Sequence, residues 1–468
     1  MNSRVLIGCI MACWTCGLAS SAEPRQHVTV DFSKPSGRIK PLHGVCNGPY
    51  AYGENAKLEG YHTEAGFPWT RLHDVHWPYS DAVDVSTIFP IFDADVDDPN
   101  NYTFAKTDDY LAAIIKNRSQ IVYRLGESIE PWTRYHNHPP KNYQKWAKVC
   151  VNIIRHYNEG WAKGFRHNIR YWEIWNEPEA GFMWTGTRQQ YLDLYEVAAK
   201  AIKAHDSALR VGGPAATNAH SDLVKPMLAF CRDRKLPLDF FSWHAYYGEP
   251  KYLAADAAVV RKLLDEYGFR QTESHLNEWR YLTTWSGLRP SEPRQYTGVP
   301  EWFARSCRAE GAAFCADVLL RLQDQPIDVL NFYSADTSPW SMFGQFGIPT
   351  KAYYVFKGFQ QFSKCPNRVS CEGWSPGGPV PICAGMSDDR QAAALMASNF
   401  KSEPRELAVT LRNLPWKGIA RVEIDRVDAT HDLEQTEVKT VKADDAVFQL
   451  QLPANSVCLV RVKRTARE

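Results

Sequence analysis

Two short stretches of this chain carry residues that could do chemistry together. The first is Tyr171-Trp172-Glu173-Ile174-Trp175-Asn176-Glu177-Pro178. Its aromatic and β-branched residues suit a buried strand, and Pro178 stops it because proline cannot donate to a ladder. Asn176 and Glu177 therefore fall at the carboxyl end of a strand, among aromatic rings. A carboxyl in apolar surroundings has a raised pKa, since desolvation disfavours its charged form, and it can stay protonated near neutrality to act as a general acid. Taken alone, a strand-end Glu is more often half of an ion pair. The second stretch, Ser274-His275-Leu276-Asn277-Glu278-Trp279, repeats the arrangement: an apolar strand, a Glu at its end and an aromatic beside it. Two carboxylates offered from two strand ends are the equipment of glycoside hydrolysis. One protonates the leaving oxygen, and the other attacks the anomeric carbon or activates water.

The elements that must position this pair recur along the chain. Short apolar runs lie at 42–46, 67–73, 120–125, 169–175, 209–212, 239–247, 274–278 and 328–334. Between them, apolar residues spaced three and four apart predict helices at 107–116, 143–156, 189–204, 222–231, 254–267 and 305–321. Eight strands apolar enough to be buried on both faces, alternating with helices, predict an α/β fold, a (β/α)8 TIM barrel. Active-site residues of such a barrel sit at the carboxyl ends of its strands, where Glu177 and Glu278 fall. An open doubly wound sheet fits less well, because no Gly-rich phosphate loop follows the first strand. Beyond residue 362 the rhythm changes. A Gly/Pro-rich loop at 373–381 precedes short alternating runs at 393–399, 406–411, 420–427, 447–452 and 457–462, which predict an accessory β-sandwich. The N-terminal strand near Val28 could join it. The expected organisation is a leader at 1–22, a barrel at 41–362, and a discontinuous sandwich from 23–40 plus 363–468.

Composition narrows the function. A formal net charge of +1 gives no electrostatic case for nucleic acid or an acidic membrane surface. Aromatics make up 13% of the chain, with 16 Trp, enough to stack on sugar rings as well as fill a core. Arg4, an apolar run at 5–18 and the small residues Ser20-Ser21-Ala22 read as a secretory signal, too short for a comfortable transmembrane span, so the chain is expected to be secreted or periplasmic. Cys9, Cys13 and Cys16 would leave with it. No Cys-x-x-Cys pair remains among the other cysteines, and Cys365 and Cys371, flanking a short loop, are a candidate disulfide. The His136/His138 and His73/His76 pairs match no common zinc spacing.

At this point a family resemblance enters. Trp-Asn-Glu-Pro at 175–178 and Asn-Glu-Trp at 277–279 resemble the clan of retaining barrel glycosidases with carboxylates on strands four and seven. More finely, Arg71-Leu72-His73, Val211-Gly212-Gly213-Pro214, Phe241-Ser242-Trp243-His244-Ala245-Tyr246 and the C-terminal Leu452-Pro453-Ala454-Asn455-Ser456-Val457 resemble glycoside hydrolase family 39, which holds β-xylosidases and α-L-iduronidases. The resemblance runs from about residue 42 to 461. It implies Glu177 as acid/base, Glu278 as nucleophile, Asn176 on the sugar 2-hydroxyl, and Arg71 holding Glu278 ionised, with His73, His244 and Tyr246 lining the sugar site. It implies an oligosaccharide or polysaccharide substrate and neither metal nor cofactor.

One stretch departs from the family. Xylosidase-like members carry acidic residues in the loop after strand eight that touch the sugar. Here that loop reads Tyr333-Ser334-Ala335-Asp336-Thr337-Ser338-Pro339-Trp340, without the acidic pair. Asp336 is the candidate substitute, or else a turn cap, and Trp340 a candidate stacking platform. The preferred sugar is therefore expected to differ from plain β-xylose. Two other readings remain open to the sequence: an endo-acting polysaccharide hydrolase of the same clan, and a secreted carbohydrate-binding protein without catalysis.

Overall fold

The computed structural model describes residues 26–465 except 50–55, 76–80, 130–136, 284–297, 339, 345, 374–377 and 379. The proposed leader, His76 and His136 lie outside the described residues.

Strand β1 (Gln26–Arg38) belongs to a second sheet taken up below. The barrel follows as β2 (Gly44–Cys46), β3 (Trp69–Leu72), β4 (Gln120–Leu125), β5 (Tyr171–Ile174), β6 (Arg210–Ala216), β7 (Phe240–Tyr247), β8 (Glu273–Tyr281) and β9 (Val329–Phe332). These eight strands close in sequence order, β9 pairing in parallel with β2. All eight predicted runs are barrel strands, and the barrel is confirmed. The fifth run extends past residue 212 to Ala216, because Gly212 lets β6 approach β7: a Cβ at that position would lie 2.2 Å from the Phe240 carbonyl oxygen.

Helices α1 (Glu59–Ala65), α2 (Val85–Ile88), α3 (Ala105–Lys116), α4 (Tyr143–Asn158), α5 (Arg188–His205), α6 (Val224–Asp233), α7 (Pro250–Glu266), α8 (Gly298–Cys307), α9 (Ala309–Arg321) and α10 (Lys351–Phe362) surround it. The predicted helix at 305–321 is two helices. Arg308 between α8 and α9 is extended, with φ −99° and ψ −169°, which breaks the hydrogen-bond ladder. Sequence reading missed α1 and α2, too short for a periodic signal, and α10, whose apolar faces are buried nearly all round. No helix among the described residues is long and apolar enough to cross a membrane.

The second unit is a nine-stranded sheet of β1 with β10 (Asn367–Glu372), β11 (Ile382–Met386), β12 (Ala392–Asn399), β13 (Arg405–Arg412), β14 (Ile419–Val427), β15 (Asp432–Lys442), β16 (Ala446–Leu452) and β17 (Ser456–Arg464). It is one continuous hydrogen-bonded sheet rather than two separate ones. It folds over a core in which Val422 and Ile424 of β14 meet Leu407 and Val409 of β13 and Leu450 of β16. β1 pairs with β10 and β13, so the N-terminal strand does join this unit. β15 was missed because it lies at the sheet edge, largely exposed, without clean alternation. The disulfide expected between Cys365 and Cys371 is absent; both are free thiols. The segment between them is strand, not loop, and four residues of strand span about 13 Å, beyond disulfide reach.

The barrel and the folded sheet share a boundary. Phe314 and Phe356 of α9 and α10 pack in one core with Met396 and Leu459 of the sheet, and Ser398 Oγ donates to the Ala313 carbonyl oxygen at 2.7 Å.

Candidate active site

β5 and β8 deliver the two acids to the barrel mouth by different backbone devices. After β5, Trp175 and Glu177 take left-handed conformations, φ +71° and +43°. Such conformations are costly for side-chain-bearing residues and persist where surrounding contacts enforce them. Here the Trp175 N–H donates to the Leu125 carbonyl oxygen and the Glu177 N–H to that of Ala215, so both neighbouring strands hold the turn. β8 instead shifts register between Leu276 and Trp279, which puts Asn277 and Glu278 on consecutive inward positions. One carboxylate oxygen of Glu177, one of Glu278 and a ring nitrogen of His244 all lie within 4.8 Å of one another.

Arg71, fully buried on β3, ties this floor together. Its Nε donates to Glu173 at 2.7 Å, Nη1 to Glu278 Oε1 at 2.7 Å and Nη2 to Asn176 Oδ1 at 2.6 Å. A guanidinium only donates, so Asn176 must turn its oxygen to Arg71 and its amide N–H groups outward, as a contact to a sugar hydroxyl requires. Tyr246 donates its hydroxyl to Glu278 Oε2 at 2.6 Å. His244 Nδ1 lies 2.7 Å from Glu177 Oε1 and 3.4 Å from Glu278 Oε2.

The surroundings treat the two acids differently. Burial pushes Glu177 up to about 8, and the nearby carboxylates of Glu179 and Asp74 add to it. Glu278 is raised as well: burial outweighs the pull of His244, Arg71 and the Tyr246 hydroxyl. The expected effect of Arg71 thus needs correcting. It moderates the pKa of Glu278 without bringing it to the ordinary range. Even so, only Glu278 has a direct cation and a phenol as partners, so Glu177 is the better proton carrier and Glu278 the better nucleophile. Burial lowers His244 to about 4, which keeps its imidazole neutral beside both acids.

The other anticipated residues fall in or near the same place. His73 is buried, its Nδ1 accepting from Arg124 Nε at 3.1 Å. The Trp340 ring stands 6.2 Å from Tyr246 and 5.1 Å from Trp302. Asp336 is buried, its oxygens accepting from Asn47 Nδ2 at 3.0 Å and Ser334 Oγ at 2.7 Å. Through Asn47, whose Oδ1 accepts from the His73 N–H, Asp336 anchors the end of β3. Sequence reading assigned no role to Glu173, which is fully buried on the Arg71 guanidinium and accepts from Asn277 Nδ2. Burial pushes its pKa up, but Arg71, Ser242 and His244 together outweigh this and the net shift is downward. A charged residue in the middle of an otherwise apolar run was the available signal. Asn47, Asp74, Arg124 and Glu179 were also missed, each lying in a loop or strand end that no chemical motif marks.

Among the described residues, the grouping of acids and imidazoles close enough to share a metal ion is Glu177, His244 and Glu278 themselves. Arg71 already balances Glu278 there, so this set fits proton and nucleophile chemistry better than a cation.

Comparison with known proteins agrees with this geometry. The β-xylosidase of Geobacillus stearothermophilus is 33% identical over 173 residues, which is 32% of this chain and 33% of that protein. That of Caldicellulosiruptor saccharolyticus is 24% identical over 442 residues, covering 86% of this chain and 85% of its own length. Among solved structures, a glucosidase from Croceicoccus marinus superposes with a TM-score of 0.80 at 22% identity, covering 94% of this chain and 99% of that one. A monomeric β-xylosidase from Caulobacter crescentus gives 0.72 at 18% identity, covering 94% and 100%. The profile of glycosyl hydrolases family 39 matches residues 31–291, which span β3, β5, β7 and β8 with both acids, and the chain belongs to that family.

Proposed function

We propose that this chain is an exported, retaining glycosidase, β-xylosidase-like in its machinery. In the first step Glu177 gives its proton to the glycosidic oxygen while Glu278 attacks the anomeric carbon, so the carbon–oxygen bond to the aglycone breaks and a glycosyl-ester forms. In the second, Glu177, now ionised, takes a proton from water as the water oxygen displaces Glu278, regenerating both groups. Asn176 grips the 2-hydroxyl, and the neutral His244 keeps Glu177 in place between steps.

The observation that carries this reading is the approach of the two carboxylates to within 4.8 Å. Retaining enzymes hold their acids about 5–5.5 Å apart, whereas inverting enzymes need roughly 6.5–9.5 Å to admit a water between them. Proton NMR of the first-formed product is expected to show the anomeric configuration of the substrate; net inversion would exclude the glycosyl-ester. Export is supported by the charged, apolar and small-residue succession at 1–22. The mature chain is expected to begin at Glu23 on N-terminal sequencing, and an intact Met1 in the extracellular or periplasmic fraction would contradict processing.

A further inference from the structure

The pairing of β5 with β6 ends too early to hold the proton donor. Its register runs Tyr171 with Arg210, Trp172 with Val211 and Glu173 with Gly212, and stops there, before Glu177. Beyond it the chain turns, and two contacts tie that turn to the end of β6. The Glu177 N–H donates to the Ala215 carbonyl oxygen at 3.1 Å. Two residues further on, Glu179 Oε1 accepts from both the N–H and the hydroxyl of Thr217, at 2.7 and 2.9 Å. The first contact is backbone, open to any residue but proline. The second needs a side-chain acceptor of this reach. Between them the Ala180 N–H donates to the Glu177 carbonyl oxygen at 2.8 Å, closing the turn around the acid.

The other oxygen of Glu179 is not explained by this clamp. Oε2 is buried with no donor among the described residues. Burying an unmatched acceptor costs stability, and an amide at this position could hold Thr217 without a charge. The charge acts on Glu177 and on His244 beside it. We propose that Glu179 is a positioning residue of the proton donor: it clamps the Glu177 turn to the end of β6 through Thr217 and sets a fixed negative charge beside the Glu177 carboxyl. This rests on the glycosidase reading and adds a residue to its machinery. A like charge disfavours ionisation, so Glu179 favours the protonated acid. The other groups that face Glu177 come from separate elements: neutral His244 and Tyr246 from β7, Glu278 from β8, Arg71 from β3 and Asp74 after β3. Glu179 alone of these shares the turn of the acid and moves with it. Arg188, which lines the same cavity of about 470 Å³ as Glu179, is paired with Asp222 at 3.6 Å.

Crossed substitutions separate charge from clamp, read as kcat/KM and kcat against pH on an aryl glycoside whose leaving group needs a proton. Glu179→Gln keeps an acceptor for Thr217 and removes the charge. Its basic limb is expected to fall below that of wild type by on the order of half a pH unit or more, the scale of one charge acting through protein at an effective dielectric of about 20. Glu179→Asp keeps the charge and shortens the reach. Its limb should stay close to that of wild type while its plateau kcat drops about 10- to 100-fold, the loss expected of a misplaced acid, with KM moving less. Carboxyl carbon NMR of glutamate-labelled protein, with Glu177→Gln to assign the signal, follows the titration of Glu177 without turnover. A wild type that hydrolyses no aryl glycoside, with the NMR titration still displaced in Glu179→Gln, sinks the glycosidase reading and leaves the placement of Glu179 standing. A limb and an NMR titration that both stay put in folded Glu179→Gln overturn the role of the charge, and a wild-type plateau kcat in Glu179→Asp overturns the clamp. Should Glu179→Gln fail to fold, Thr217→Val takes its place. It leaves the charge and removes one donor, so kcat should fall with the basic limb unmoved, and an unaltered kcat overturns the proposal.

Discussion

Replacing Glu278 with Ala is expected to lower kcat on the order of 10⁴-fold or more, whatever the leaving group, since the proposed mechanism has this group form the covalent bond. Glu177→Ala should behave differently. On substrates whose leaving group needs a proton the loss should reach about 10²–10⁴-fold, and on activated aryl glycosides it should be much smaller for the glycosylation step. The asymmetry follows from the surroundings of the two acids. Glu278 has a 2.7 Å contact to the Arg71 cation and a 2.6 Å hydrogen bond from Tyr246, so its ionised form has partners. Glu177 has a neutral imidazole at 2.7 Å, and burial, with the carboxylates of Glu179 and Asp74 adding to it, favours its protonated form up to about 8. The proposed mechanism needs Glu278 ionised and Glu177 protonated. Activity should therefore rise with pH as Glu278 loses its proton and fall again near pH 8 as Glu177 does. Steady-state kinetics on a series of aryl glycosides of graded leaving-group pKa separates the two variants. A leaving-group-dependent loss in Glu278→Ala, with a uniform one in Glu177→Ala, would reverse the assignments.

Much of this site was legible because its chemistry is written at strand ends. Period and apolarity located all eight barrel strands, and Pro178 marked the end of β5, but Glu278 lies inside β8, which runs on to Tyr281. What pattern could not carry was the network beneath. Glu173 and Arg71 are paired across two strands far apart in sequence, and only the closed barrel brings them to 2.7 Å. Asp336 illustrates the reverse limit. A lone acid in a loop read equally as a sugar ligand or a turn cap, and the structure shows its charge holding Asn47 and Ser334. The left-handed turns at Asp74, Trp175 and Glu177 were hidden too, because no glycine announces them. The accessory sheet was recognised from alternation, yet its continuity was not, since alternation reports which face is buried and not which strand lies alongside.

Arg71→Met is expected to be the most damaging change outside the two acids, and for stability as much as for activity. The guanidinium joins Glu173, fully buried, to Glu278, whose side chain is 7% exposed, and orients Asn176. Removing it strands two buried carboxylates, and breaking a buried pair from one side typically costs about 3–5 kcal/mol. Lys should not rescue it, because a single ammonium cannot replace a planar fork reaching three partners. The pH dependence separates this cause from simple loss of packing. In wild type the folded pKa of Glu173 is lowered, so its stabilisation is present above the unfolded pKa of about 4.3 and fades as pH falls through the folded value. In Arg71→Met the main cation is gone, burial outweighs the remaining hydrogen bonds from Ser242 and Asn277, and the folded pKa is expected to rise above the unfolded one. The ionised carboxylate then opposes folding at neutral pH, and that penalty disappears once the group is protonated in both states. The gap between wild type and variant should accordingly be widest near pH 7 and narrow below about pH 4. Denaturant unfolding at the two pH values reads this directly. A deficit of under about 1 kcal/mol at pH 7, or one that stays constant on acidification, would show that Arg71 is not the charge that keeps these acids ionised in the barrel floor.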